Sequence, residues 1–174
     1  QQGTTTELNL ADYFRKNSMD YEPVPIETNA EAQQQYLAGA CDVYTTDASS
    51  LAATRATFET PGDHVILPEI ISKEPLGPLV RHGDNEWGDI VRWTLNALIA
   101  AEELGITSAN VDQMKASSKN SEVRRLLGVE GNFGAMMGLS NDWMYNAIKQ
   151  VGNYGESFER TVGMGSTLKL ERGQ

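Results

Sequence analysis

The first half of the chain alternates three times between short strand-like segments and helical ones, and this alternation restricts the fold most. The helical segments are Thr4–Lys16, Asn29–Leu37 and Ala48–Thr57, and Asn29 is the N-cap candidate of the second. The strand-like segments are Tyr21–Glu27, Cys41–Thr46, His64–Ile71 and Gly77–Arg81. Because strands that alternate with helices pair in parallel, the pattern predicts an α/β fold with a small, mostly parallel sheet flanked by helices. Pro23 and Pro25 place their strand at an edge of that sheet.

The second half of the chain, from about Asn85 onward, is dominated by helical patterns. A long amphipathic pattern begins at Glu86 and ends at Gly105, and Asn132–Gly138 reads as a loop. Shorter helices are predicted at Val111–Lys115, Glu122–Leu127, Asp142–Val151 and Tyr154–Val162. We therefore expect an α/β unit over residues 1–75, a strand and long helix over 76–105, and a helical C-terminal segment over 106–174.

Composition excludes several classes of function. The 174 residues include 14 basic and 24 acidic side chains, a net charge of −10 that repels nucleic acid and anionic lipid. Cys41 is the only cysteine, so the chain has neither an internal disulfide nor a thiolate metal cluster. The sequence leaves open whether Cys41 is a buried free thiol or whether its partner cysteine was lost with the rest of a longer protein.

The ends of the sequence carry no complete terminal element. No basic and apolar leader is present, and no apolar run approaches the ~20 residues of a membrane helix. The first residues resemble the end of a strand, and Lys169–Gln174 stops without a terminal helix or strand. We expect the sequence to be a fragment cut at both ends.

Candidate binding residues lie at two predicted strand-to-helix junctions, Thr4–Thr6 and Asp47. In open α/β sheets, ligands bind outside the carboxyl ends of the strands, near helix N-termini. Threonine hydroxyls and first-turn N–H groups suit a carboxylate, and an aspartate suits an ammonium, so the pair suits a zwitterion. The alternative is that Thr4, in a capping box with Glu7, and Asp47 only cap their helices.

Catalytic, metal and phosphate sites have weaker support. His82 lies near Asp84 and Glu86, but a single histidine in a loop lacks the ligand spacing of a metal site. Ser49–Ser50 has no nucleophile elbow, and Gly163–Ser166 lacks the phosphate-binding spacing. We expect no catalytic residue, no metal and no cofactor.

Four segments carry a resemblance to a known family. Gln2–Glu7 and Ala38–Asp47 resemble two ligand-binding motifs in the second lobe of type II periplasmic amino-acid-binding proteins of ABC importers. Arg81–Trp87 and Lys149–Glu156 are similar to the general L-amino-acid-binding branch of that family. The resemblance covers nearly the whole chain, which would correspond to the second lobe and the C-terminal return segment.

The resemblance implies a non-enzymatic, solute-binding protein with the type II periplasmic-binding-protein fold. Such a protein is made with a signal peptide, captures L-amino acids in the periplasm and delivers them to the ABC permease. The family's second-lobe threonines approach the ligand α-carboxylate and its closing aspartate takes the α-ammonium. The resemblance assigns these roles to Thr4, Thr5 and Asp47; Thr6 follows in the same turn, and Gln1 and Gln2 are weaker candidates.

The chain also departs from the family pattern, because the first lobe would precede Gln1. That lobe supplies an arginine for the carboxylate and aromatic residues that cover the side chain, so we expect weak binding by this fragment alone. Residues 76–104 would pack on the first lobe, and a homodimer or an exchanged segment would cover their unpaired strand. Two alternatives stay open: a dehydratase-like enzyme on the same scaffold and an extracellular ligand-sensing domain.

Overall fold

The computed structural model describes residues 1–73 and 75–173 of the chain. The chain divides into two compact units, residues 1–75 (unit 1) and 76–174 (unit 2). Glu74 and Gln174, which fall within the first and third predicted segments, lie outside the described residues. The predicted division into three segments stays a prediction.

Unit 1 contains three α-helices and one short 3-10 turn in its described residues. Their bounds are Thr5–Lys16 (α1), Asn29–Leu37 (α2), Ala48–Thr57 (α3) and Pro61–Asp63 (the 3-10 turn). The predicted helices are confirmed, with one correction at the start of α2. Thr28, and not Asn29, is the N-cap, because the Thr28 hydroxyl accepts a hydrogen bond of 3.3 Å from the Glu31 N–H.

The four segments predicted as strands do not form a β-ladder in the part of the chain that the structure describes. A strand exists only when its N–H and C=O groups pair with a neighbouring strand. Among the described residues of unit 1, one backbone hydrogen bond joins the first residues of the chain to the predicted strand Tyr21–Glu27. It runs from the Gln2 N–H to the Ile26 C=O at 2.9 Å. The described residues therefore give a helical fold, and the sheet is not confirmed.

A cluster of aromatic rings lies where the ends of α2 and α3 meet the 3-10 turn. The Tyr36 hydroxyl shares a 2.8 Å hydrogen bond with His64 Nδ1, and the Phe58 ring meets the His64 ring edge-on at 4.8 Å. Arg55 ties the end of α3 to the 3-10 turn by donating from Nε to the Pro61 C=O at 3.0 Å. These contacts order the residues between α2 and the 3-10 turn with little burial, since Ala52 is the one hydrophobic residue of unit 1 described as buried.

Unit 2 is helical throughout its described residues, apart from loops and its two ends. Its helices are Asn85–Glu103 (α4), Val111–Ser117 (α5), Ser121–Leu126 (α6), Phe133–Met136 (α7), Trp143–Val151 (α8) and Tyr154–Thr161 (α9). The helices predicted for this half of the chain are present, with ends that differ by one or two residues. The short α7 corrects the predicted loop over Asn132–Gly138, where one helical turn is too short to show a periodic pattern. None of the described helices is long and apolar enough to span a bilayer.

A continuous apolar core holds unit 2 together. Its buried residues come from α4, α5, α6, α8 and the loop after α4, and they are Ala97, Ala101, Ile106, Val111, Val123, Leu127, Met144 and Ile148. The alanines on α4 let the neighbouring helices approach closely, and larger side chains fill the space between them. Burial of this apolar surface is the main source of the unit's stability.

Polar side chains fix the junction between α8 and α9 to the loop after α4. Asn153 is buried; its side chain donates to the Ile106 C=O at 2.8 Å and accepts from the Glu156 N–H at 2.9 Å. The Glu156 carboxylate accepts in return from the Asn153 N–H and from the Ser108 hydroxyl. Burial raises the pKa of Glu156, but the hydrogen bonds from Ser108 and Asn153 outweigh it, so the pKa lies below its ordinary value.

Two glycines of unit 2 allow the loop before α8 to pack directly against their own backbone atoms. A Cβ on Gly128, which has φ +73°, would stand 2.1 Å from the Asn141 carbonyl oxygen. A Cβ on Gly134 would stand 2.2 Å from the Ser140 carbonyl oxygen. A side chain at either position would collide with a carbonyl group. Glycine is therefore required for the loop before α8 to pack in this way.

Candidate functional site

A polar cleft of about 270 Å³ lies in unit 1 where α1, α2 and α3 begin. It is lined by Gln1, Thr4, Thr5, Thr6, Asn29, Thr46, Asp47 and Ser50. The structure thus brings Thr4–Thr6 and Asp47, which are distant in sequence, to one cavity.

Short hydrogen bonds position the start of α1. The Thr4 hydroxyl donates to the Gln1 C=O at 2.7 Å, and the Glu7 carboxylate accepts from the Gly3 N–H at 2.6 Å. Thr4 is the N-cap residue, but its side chain makes no cap hydrogen bond, so the predicted reciprocal capping box is not formed. The Thr4 hydroxyl proton is therefore used within the turn that begins α1.

The Gln1 and Gln2 residues join the start of α1 to the segment before α2. The Gln1 side-chain amide donates to the Glu27 C=O at 2.8 Å, beside the bond from Gln2 to Ile26. These two bonds hold residues 1–2 and 26–27 side by side, so α1 and α2 begin at the same end of unit 1. Gln1 lines the cleft while its side chain is committed to this support.

Asp47 is the N-cap residue of α3, with φ −56° and ψ 142°, and its side chain makes no cap hydrogen bond. The alternative that Thr4 and Asp47 only cap their helices therefore lacks the hydrogen bonds that it needs. The Asp47 carboxylate is half-buried at the cleft, where it can accept hydrogen bonds from a ligand.

The cleft combines one negative charge with neutral donors. Asp47 is the one ionisable side chain among the described lining residues; the others are hydroxyls and amides. Helix N-termini carry partial positive charge, and three helices begin here. An ammonium is favoured at Asp47 and a carboxylate at the start of α1, so the cleft suits a small zwitterion.

Sequence reasoning missed several lining residues, namely Asn29, Thr46 and Ser50. Asn29 was predicted as a helix cap and Ser50 was considered only as a nucleophile. A usable signal existed, since Ser50 lies three residues after Asp47 and therefore on the same face of α3.

An apolar groove of about 310 Å³ marks unit 2, along one face of α4. It is lined by Pro78, Trp87, Ile90, Val91, Thr94, Leu95 and Leu98. Trp87 and Trp93 are each more than half exposed, whereas Trp143 packs against the buried core. The three tryptophans thus divide into one that packs on the core and two that are mostly exposed.

No protein-family model matches the chain. Curated proteins do match over nearly all of it. It is 61% identical over 173 residues to the glutamate/glutamine/aspartate/asparagine-binding protein BztA of Rhodobacter capsulatus, covering 99% of this chain and 51% of that protein. It is 59% identical over 175 residues to the general L-amino acid-binding periplasmic protein AapJ of Rhizobium johnstonii, again covering 99% and 51%.

A further relative and a solved structure agree with these. The putative amino-acid ABC transporter-binding protein YhdW of Escherichia coli is 52% identical over the whole chain and 51% of its own length. An ABC transporter periplasmic binding protein from Brucella ovis, with glutathione bound, is 58% identical and has a TM-score of 0.90 over 99% of this chain and 54% of its own. The predicted resemblance to amino-acid-binding proteins of ABC transporters is confirmed, and the chain spans about half the length of the relatives it matches.

Proposed function

We propose that this chain is the second lobe and return segment of a solute-binding protein that captures L-amino acids in the periplasm for an ABC permease. The observation that carries the proposal is the cleft in which Thr4–Thr6 and Asp47 meet. The printed names of the relatives support it, since they are transport proteins that bind amino acids. In this function the chain binds and releases its ligand without chemical change and is not an enzyme.

Two groups of residues bind the α-carboxylate and the α-ammonium of the ligand. The α-carboxylate lies at the start of α1, beside the lining residues Thr5 and Thr6, where the helix N-terminus carries partial positive charge. Thr4 shapes that turn, because its hydroxyl proton is held by the Gln1 C=O. The α-ammonium binds the Asp47 carboxylate, which makes no cap hydrogen bond.

The fold of the complete binding protein is the type II periplasmic-binding-protein fold, with a small, mostly parallel sheet in this lobe. The bond from Gln2 to Ile26 is the kind of contact that joins neighbouring strands. The groove along α4 packs against the other lobe, and its exposed Trp87 is the side chain with most apolar area to bury there. A homodimer or an exchanged segment, predicted from the sequence, has no support and stays a prediction.

The ligand class follows from the names of the relatives. BztA is named for binding glutamate, glutamine, aspartate and asparagine, AapJ for L-amino acids in general, and the Brucella ovis structure holds glutathione. All of these ligands carry a free α-amino and α-carboxylate pair. We therefore expect the site to recognise that pair and to tolerate several side chains, including those of acidic and amide amino acids.

The test uses a hybrid in which this chain replaces the matching half of BztA, alongside the 174-residue chain alone. Isothermal titration with L-glutamate, L-glutamine, L-alanine and glutathione is expected to give micromolar or tighter binding by the hybrid for at least one ligand. The chain alone should bind weakly, because half of the burial is missing.

Asp47→Asn in the hybrid is expected to lower the affinity for every amino acid by at least ~30-fold, about 2 kcal/mol, because a buried ammonium loses its charged partner. Asp42→Asn is the matched control, since Asp42 is exposed and does not line the cleft. Equal affinities of the Asp47→Asn variant and the unmodified hybrid would refute the site. A hybrid that folds but binds no amino acid would refute the function.

A further inference from the structure

Asn29 and Ser50 line the cleft but have no role in holding the ligand backbone. Asn29 is the first residue of α2, and Ser50 lies in the first turn of α3, three residues after Asp47. Because residues three apart share a helix face, Ser50 lies on the same side of α3 as Asp47. A ligand whose ammonium is held by Asp47 and whose carboxylate lies at the start of α1 can therefore extend its side chain along the part of the cleft that Asn29 and Ser50 line.

Both side chains are available to a ligand. Among the described residues, neither the Asn29 amide nor the Ser50 hydroxyl has a hydrogen-bond partner, and both are exposed within unit 1. A carboxamide offers two N–H donors and one acceptor, and a hydroxyl offers one donor and two lone pairs. Each can donate to a carboxylate, and each can also accept from an amide N–H.

Among the described residues that line the cleft, none is a lysine, an arginine or a histidine. A cationic side chain would bind a ligand carboxylate with charge-assisted hydrogen bonds and so prefer an acid to its amide. Neutral groups that both donate and accept give similar hydrogen bonds to a carboxylate and to a carboxamide. The lining therefore favours binding of carboxylate and carboxamide side chains with similar affinity.

We propose that Asn29 and Ser50 determine side-chain specificity by holding the far end of the ligand, a carboxyl or carboxamide group, without distinguishing the two. The inference rests on the proposed function, since it needs an amino acid in the cleft. Asn29 and Ser50 are specificity residues in this reading, and Asp47 remains the residue on which all ligands depend.

The test is Asn29→Asp in the BztA hybrid, titrated with L-glutamate, L-glutamine and L-alanine. The substitution keeps the size of the side chain, and an acidic residue in the first turn of α2 favours that helix. The new carboxylate repels the side chain of glutamate and still accepts from glutamine. We expect the glutamate affinity to fall at least ~10-fold while the glutamine affinity changes less than ~3-fold.

Ser50→Ala provides a second measurement that adds no charge. It is expected to weaken glutamate and glutamine by similar factors of ~3 to 10 and to leave alanine unchanged, because alanine has no polar group to lose. Gln34→Glu is the matched control for Asn29→Asp, since it adds the same charge on α2 outside the cleft.

Three outcomes decide between the proposals. Selective loss of glutamate in Asn29→Asp, absent in Gln34→Glu, supports the specificity role. Equal effects on glutamate and glutamine, or none, overturn it while the function stands, provided that Asp47→Asn weakens both ligands. No binding of any amino acid by the unmodified hybrid rejects both proposals together.

Discussion

The two units differ in how they bury apolar side chains. Unit 2 has a continuous core of residues from α4, α5, α6 and α8, whereas Ala52 is the one buried hydrophobic residue described in unit 1. The polar cleft lies in unit 1. Since apolar burial supplies most of the free energy of folding, unit 2 is the better stabilised of the two, and the proposed binding residues lie in the half that has more to gain from a ligand.

The contrast between the two units predicts that the loss of one core side chain of unit 2 has the largest effect on the free energy of unfolding. Leu127→Ala in unit 2 should lower the free energy of unfolding by about 2–5 kcal/mol, because Leu127 is fully buried and a cavity would remain. Urea denaturation followed by tryptophan fluorescence measures it, since Trp87, Trp93 and Trp143 all lie in unit 2.

The matched variant in unit 1 is Leu37→Ala, at a leucine that is 54% exposed at the end of α2. Its effect on unfolding, followed by far-UV circular dichroism, should stay within about 0.5 kcal/mol. If Leu37→Ala were as destabilising as Leu127→Ala, unit 1 would have a core of its own and the contrast would be wrong.

A smaller effect is expected from the buried amide at the start of α9. Asn153→Ala removes the bond to the Ile106 C=O and the cap for the Glu156 N–H, which should lower the free energy of unfolding of unit 2 by about 1–3 kcal/mol. The same urea titration measures it. Asn146→Ala on the exposed side of α8 is the control, and a similar loss there would show that the Asn153 bonds are not the cause.

The smallest effect is the pH dependence that Glu156 contributes. Its pKa is lowered in the folded unit, so its contribution to stability is complete above the ordinary pKa of a glutamate and is lost as pH falls through the lower, folded value. Glu156→Gln should therefore show a smaller drop in the urea midpoint than the unmodified chain when pH is lowered from 7 to 4. Parallel midpoint curves for the two proteins would contradict this role.

Local patterns predicted the helices well. Apolar residues spaced along α4 and α8 indicated their faces, and the glycine after α4 indicated its end, because both signals lie within a few residues. Thr28 and Asn29 are both good caps, so the start of α2 was misplaced by one residue. The strands could not be settled this way, since strand pairing depends on neighbours that are distant in sequence.

The candidate site was only partly predictable for the same reason. Thr4–Thr6 and Asp47 precede helices, which made them visible in sequence, and the structure places them in one cleft. Their contacts with a ligand remain a prediction. Asn29 and Ser50 were missed as lining residues because membership of a cleft depends on how three helices converge, which no single segment encodes.

The glycines that seat the loop before α8 have a consequence for how this sequence can diversify. At Gly128 and Gly134 the barrier is a carbonyl oxygen about 2 Å from any added carbon, so all other residue types are excluded alike. Gly138, with φ +70° and open space around it, has only a conformational requirement that asparagine can also meet. Random mutagenesis would therefore find Gly138 exchangeable and the other two invariant, although all three lie in one short stretch of chain.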